Sequence, residues 1–285
     1  MMGPRHYFPV HRLASRAAAF VLTLATGGMA WAQDATATVD HHRPFEIMDN
    51  SFFVEEAFNQ DTGVVQNIVN FNRTRNGEWV ATFTQEWPLF SHTHQISYTL
   101  PFASTDLGSG IGDAYIHYRL QVLDGDNGGL SFSPRVSLIL PSGSVSKAIG
   151  QGSPGWEVNL PFSQQVGDLF VHWNAGFTQV PAAIGDDDLE HDLFTPRVAG
   201  SGIWRARPML NLMLETVVEW TAVPTGPSSS RHVSRTTVVP GLRTGVNAGD
   251  AQTVFGFGVP ISIVEGARDV GVFVYFSYET RFTSR

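Results

Sequence analysis

From Val64 onward, apolar and polar residues alternate with a period of two along most of the chain. Asp113, Tyr115, His117, Arg119 and Gln121 share one face, and Ala114, Ile116, Tyr118, Leu120 and Val122 share the other. Successive strand side chains point to opposite faces, so this stretch reads as a strand with one polar and one apolar side. The next run repeats the division, with Phe132, Pro134, Val136, Leu138 and Leu140 against Ser131, Ser133, Arg135 and Ser137. Further along, Leu169, Val171, Trp173, Ala175 and Phe177 oppose Phe170, His172, Asn174, Gly176 and Thr178. Leu210, Leu212, Leu214, Val218 and Trp220 oppose Asn211, Glu215 and Glu219, and the last run sets Val272, Val274, Phe276, Tyr278 and Phe282 against Ser277, Glu279 and Arg281. No segment sustains a 3.6-residue period.

Turn signals divide the chain into segments of about ten residues, the spacing of all-β architecture. Strands are predicted near 64–74, 79–89, 95–102, 112–123, 130–140, 155–162, 169–179, 193–205, 209–222, 234–246, 252–260 and 270–282. Alternation alone fits a soluble sandwich whose apolar face is its core. Two further patterns favour a membrane barrel. Short connections (91–93, 206–208, 247–250) alternate with longer ones (142–153, 180–192, 223–233, 261–269), and outer-membrane barrels have short turns at one end and longer loops at the other. Trp79, Trp87, Trp204 and Trp220 fall near strand ends, where an aromatic girdle meets lipid headgroups. The fold expected is all-β: a closed antiparallel transmembrane β-barrel of about twelve strands with a polar lumen and an apolar exterior. Closure is obligatory, because unpaired edge N–H and C=O groups cannot face lipid.

The start of the chain serves another purpose. Arg5, Arg12 and Arg16 precede the apolar run 17–25, and Ala30, Trp31 and Ala32 fit a small-x-small cleavage site before Gln33. This is the pattern of a secretory signal peptide over 1–32, cleaved near Ala32. Its removal takes three of the 18 basic residues and none of the 26 acidic ones, for a formal charge of −11. Lys147 is the sole lysine, so a basic face for nucleic acid is not expected. The chain has no cysteine, and so needs no disulfide staple in an oxidising compartment. Residues 33–44 read as a flexible arm. Residues 45–63, with Phe52, Phe53, Val54 and Phe58 around Glu55 and Glu56, read as an extra strand, a short helix or a plug, with the barrel proper over 64–285.

Several short motifs carry a family likeness. They are Gly110-Ile111-Gly112-Asp113, the pair Tyr118-Arg119, and Leu140-Pro141-Ser142-Gly143 closing the next strand. Together with residues 55–60, 84–88 and 207–212, they resemble the outer-membrane barrel family named for the meta-pathway of phenol degradation. The resemblance covers most of the mature chain. It implies a barrel that moves small molecules, in some members aromatic ones, across the outer membrane, and it supplies no catalytic residues. Such chains often end on an aromatic residue, whereas here Phe282 is followed by Thr283, Ser284 and Arg285.

Asp113, His117, Arg119, Arg135, His172, Glu215, Glu219, Glu279 and Arg281 are the candidate lumen-lining residues. A charge facing lipid at midplane costs about 2–4 kcal/mol for Arg, which forces these side chains inward. They either pair with one another to fill the interior or line a solute path. His92 and His94 share a strand face but lack an evident third metal ligand. The acidic run 186–192 and the turn 124–128 lack the spacing of a calcium loop. Ser, His and acidic residues occur without a Gly-x-Ser-x-Gly elbow. The expectation is a non-enzymatic outer-membrane channel without metal or cofactor, whose partners are membrane lipid and a small-molecule solute. The alternatives are a closed structural or interaction barrel and a soluble secreted β protein.

Overall fold

The computed structural model describes residues 47, 51–125, 128–185, 188–226, 229–248 and 251–282. The leader, its cleavage position and the arm at 33–44 lie outside them. The wall begins with β1 (Val64–Arg73), β2 (Trp79–Leu89) and β3 (Ser91–Thr105). The next stave comes in three pieces, β4 (Gly108–Ile111), β5 (Ala114–Leu120) and β6 (Leu123–Asp124). β7 (Leu130–Phe132) and β8 (Arg135–Leu140) form another, broken where Pro134 has no N–H to give the ladder. β9 (Gly155–Val166), β10 (Leu169–Ile184), β11 (Glu190–Arg207), β12 (Leu210–Gly226) and β13 (Ser229–Ala248) are continuous. β14 (Ala251–Gly258) with β15 (Ile261–Val264), and β16 (Ala267–Val270) with β17 (Val272–Arg281), complete the circuit. Every pairing is antiparallel. β17 returns to β1 from Val64↔Arg281 to Arg73↔Val272, closing a twelve-stranded barrel.

β1 starts and β17 finishes at the same end, here called the base, and the other end is the mouth. The turns at the base are short. At the mouth, 141–154 is a long connection, but the other expected long loops are mostly ladder. β10 and β11 pair out to Ile184↔Glu190, β12 and β13 to Gly226↔Ser229, and β15 and β16 to Val264↔Ala267. The cause is length. A tilted strand crosses a bilayer in about 9–11 residues, and β13 has 20. Beyond the bilayer both faces of a hairpin meet water, so polar residues that read as loop continue the strand.

The faces separate as the alternation requires. Ile96, Ile116, Leu138, Leu214, Phe255 and Val274 are exposed on the outside, while Thr84, Ser97, Ser137, Asn174, Asn211 and Ser277 are buried inside. A soluble β protein would bury the first set. Here the apolar surface faces outward over the whole circumference, which is the polarity of a lipid-embedded barrel.

The tryptophans lie toward the two ends. Trp87 packs on Phe282 near the base, with ring centroids 5.7 Å apart, and Trp204 is exposed near the same end. Trp79 opens β2 at the mouth and packs on Phe71 at 6.0 Å, and Trp220 lies toward the mouth on β12. Trp156, at the mouth end of β9, adds an edge-on contact with Phe177 at 5.1 Å.

Candidate functional site in the lumen

Seven of the nine charged or imidazole candidates are buried on the inner face: Asp113, His117, Arg119, Arg135, His172, Glu215 and Glu219. Glu279 is half-buried near the base. Arg281, the last residue of β17, shares the inward parity of Tyr275 and Ser277. It sits at the base rim, more than a third exposed and 3.9 Å from Asp61, because the wall ends there. His117 is held in the wall, its Nε2 3.0 Å from Thr99 Oγ1 and its Nδ1 2.8 Å from Ser137 Oγ.

These residues do not surround open space. Residues 51–60 run through the lumen as neither strand nor helix, and all ten are buried. Ile47 lies near the base, donating its N–H to Pro208 O at 2.9 Å. Phe52–Glu56 lie at mid-barrel, and the chain descends from them to Asn59, whose side chain donates to His92 O at 2.7 Å. From there it turns into β1.

Wall side chains meet the backbone of this segment residue by residue. The Glu215 carboxylate accepts three successive N–H groups, from Phe52 and Phe53 at 2.6 Å each and from Val54 at 3.2 Å. Asn174 accepts the Glu55 N–H and donates to the Glu55 carbonyl, both at 2.7 Å, as a neighbouring strand would. Ser163 Oγ accepts the Ala57 N–H at 2.8 Å and contacts His172 Nδ1 at 2.6 Å. That engagement makes the Ser163–His172 pair a docking contact in this structure. Gln121 accepts from Asn59 N and donates to Ala57 O, and Gln95 accepts from Gln60 N. A buried backbone group without a partner costs about 1–3 kcal/mol, so an irregular segment inside a barrel requires such a set.

The lumen has two chemically distinct sides. On one, Phe52, Phe53, Val54 and Ile47 pack against Ile68, Phe170, Ile203, Met213, Val239 and Phe273. Phe52 lies where inward glycines replace side chains: a Cβ on Gly241 or Gly256 would come within 2.5 Å of its ring. On the other side, Glu55 lies between Arg119 and Arg135, at 3.4 and 3.2 Å, and accepts from Asn159 at 2.5 Å. Arg119 also donates to Asn59 Oδ1 at 2.8 Å and to the carbonyls of Glu56 and Phe58. Arg135 extends this network to Glu157 at 2.5 Å.

Gln95, Gln121, Asn159, Ser163 and Asn174 are not among the lumen candidates named from the sequence, although Gln121 and Asn174 fall on the polar faces assigned there. Their signal was present, since all five are polar residues at inward positions of the alternation. The remaining motifs carry little chemistry. His94 contacts the Tyr118 hydroxyl at 2.6 Å and His92 lies 3.7 Å from Asp124. Among the described residues no cluster of three metal-ligating side chains occurs. The turn at 124–128 and the acidic run at 186–192 fall partly outside the described residues.

No family model and no curated protein matches the chain. Solved structures do. The COG4313 outer membrane channel from Pseudomonas putida F1 superposes with a TM-score of 0.60 at 13% identity, over 79% of this chain and 98% of that one. The NanC porin does so with a TM-score of 0.53 at 8% identity, over 74% of this chain and 98% of that one. The chain has the outer-membrane barrel fold. At these identities the likeness speaks for the fold alone.

Proposed function

We propose that the protein is a non-enzymatic channel of the outer membrane for small solutes, held closed at rest by residues 51–60. The observation that carries this reading is the manner in which the lumen is filled. The segment is not woven into the wall as a strand; side chains of many different strands grip it through side-chain hydrogen bonds and one salt-bridge network. Such a grip is released without breaking the ladder that makes the barrel. The polar inner face then lines a path on which size and field set selectivity. The similar solved structures are named as a channel and a porin. The family resemblance points to small molecules, in some members aromatic ones. In this reading the leader 1–32 directs export and the base faces the periplasm, with Asp113, His117, Arg119, Arg135, His172, Glu215 and Glu219 as the lining residues. Trp79, Trp87, Trp204 and Trp220 are assigned to the girdle.

The dense packing of the lumen favours a second reading, a permanently closed barrel that presents its mouth hairpins to partners. Planar-bilayer recording separates the two. The native chain should conduct rarely, and a chain lacking residues 45–60 should conduct steadily and pass small sugars, carboxylates or phenols in liposome swelling. A deletion variant that folds, as judged by heat-dependent gel mobility, yet neither conducts nor passes solute would overturn the channel reading.

A further inference from the structure

Arg119 on β5, Arg135 on β8 and Asn159 on β9 are partners in register, Arg119↔Arg135 and Arg135↔Asn159, and all three side chains are buried on the inner wall. They stand side by side in one row. Like charges directly opposite each other on neighbouring strands destabilise a sheet, and a buried charge left uncompensated is costly. Glu157 meets Arg135 at 2.5 Å and answers one of the two charges. Glu86 acts on both arginines only at longer range, its carboxylate accepting from Gln95 at 3.0 Å. Within contact distance the wall row therefore keeps one positive charge in excess. The group that answers it is not part of the wall: it is the Glu55 carboxylate of the inserted segment.

Glu55 fits the row incompletely. Its backbone is fixed independently, by Asn174 at both the N–H and the carbonyl. One carboxylate oxygen accepts from Arg119 Nη1 at 3.4 Å, a long hydrogen bond, and the other accepts from Asn159 Nδ2 at 2.5 Å. Arg135 Nε lies 3.2 Å from that second oxygen, yet its buried N–H has no hydrogen-bond partner among the described residues. Native proteins rarely leave a buried donor in that state. A carboxylate tethered to a clamped backbone cannot turn to meet it. A free one can, and guanidinium groups take carboxylates through paired hydrogen bonds.

We infer that Arg119, Arg135 and Asn159 form a wall site for a small organic carboxylate, and that Glu55 is the tethered stand-in occupying it while the segment is seated. The ligand brings a single negative charge, the excess of the row. An amide of the same shape lacks that charge, and chloride lacks the two acceptor oxygens. That a passing solute uses the site rests on the channel reading; the existence of the site does not.

Glu55→Ala removes a methylene and a carboxylate, the heavy atoms of one acetate ion, and leaves the backbone to the grip of Asn174. The full chain carrying this change is refolded into detergent with sodium acetate, sodium chloride or acetamide at about 0.1 M, and the temperature at which the fast-migrating gel form is lost reports binding to the folded state. Refolding in its presence gives the probe access before the lumen fills. In chloride and in acetamide the transition should lie below that of the native chain, and acetate should restore at least half of the loss. Glu55→Gln, which keeps the space filled, should not respond to acetate, and neither should Glu55→Ala combined with Arg135→Met. If Glu55→Ala gives no folded form in chloride, yield replaces temperature as the readout: folded barrel in acetate and not in acetamide supports the site, and none in either overturns it. Equal transitions in the three solutions also overturn it, as does an acetate response that persists in Glu55→Gln or with Arg135→Met. The readout uses no conductance, so a negative result strikes the site alone, and a barrel that binds acetate but never conducts strikes the channel reading alone.

Discussion

Glu215 offers the sharpest way to loosen the inserted segment. Its carboxylate is fully buried on β12 and accepts the N–H groups of Phe52, Phe53 and Val54, the first two at 2.6 Å. In Glu215→Ala those donors face a void. A hydrogen bond to a charged group contributes about 1.5–3 kcal/mol, so the two short bonds together contribute about 3–6 kcal/mol. Removing the carboxylate also removes the cost of burying it, which brings the net loss toward the lower end of that range. At about 1.4 kcal/mol per tenfold change, a loss of about 3 kcal/mol moves the ratio of released to inserted segment by roughly a hundredfold. Single-channel recording should therefore show open events about a hundred times more frequent in Glu215→Ala than in the native chain. Glu215→Gln, which keeps one acceptor oxygen, should fall between them. A cysteine at Val54 should become reactive to a water-soluble thiol reagent in parallel. If folded Glu215→Ala conducts no more than the native chain and Val54→Cys stays shielded, the three bonds do not hold the segment in place and the argument fails.

Three other perturbations address different contacts. Gly256→Val drives a side chain into the Phe52 ring and should destabilise the inserted state by about 1–3 kcal/mol, the usual cost of overpacking. Adding Phe52→Ala should relieve part of that cost in a double-mutant cycle on open probability, and strict additivity would deny the contact. Arg119→Met leaves Glu55 without one of its two guanidinium partners and should cost about 3–5 kcal/mol, seen as a lower temperature for loss of the fast-migrating gel form. Glu55→Gln added to it should recover part of the loss, and an unchanged transition in Arg119→Met would count against the network. Cysteine at Ile116, on the outer face, should react with a lipid-soluble thiol reagent and not with a water-soluble one. Cysteine at His117 should become reactive to the water-soluble reagent only when residues 45–60 are removed. Equal labelling of positions 116 and 117 by one reagent would contradict the division of faces.

What could be read from the chain and what could not divide along a physical line. Strand faces were legible because period two is a local property: the parity set by polar Asp113 and apolar Ala114 places His117 and Arg119 on the inner wall, and that of Ser131 and Ser133 places Arg135 there. The length of the mouth hairpins was less legible, because above the bilayer both faces of a strand are wet and the alternation that marked it disappears. For residues 51–60 the sequence left strand, helix and plug open. A segment surrounded by wall on every side has no amphipathic face, so Phe52, Phe53, Glu55 and Glu56 follow one another without a period. Its partners are set by the closed barrel and not by neighbouring sequence: Glu215 lies more than 160 residues from Phe52 along the chain, and Gly241 and Gly256 make room for Phe52 from β13 and β14. Those glycines supply one sequence test. Small residues recurring at inward positions on adjacent strands, opposite a wall of amides and charges, mark a lumen shaped around an apolar insert. By that test the insert must dock after the wall has closed, because neither the glycine recess nor the Glu215 cradle exists until β12, β13 and β14 are paired. Refolding should then show gel-detectable barrel closure before shielding of Val54→Cys, and simultaneous appearance of the two signals would refute that order.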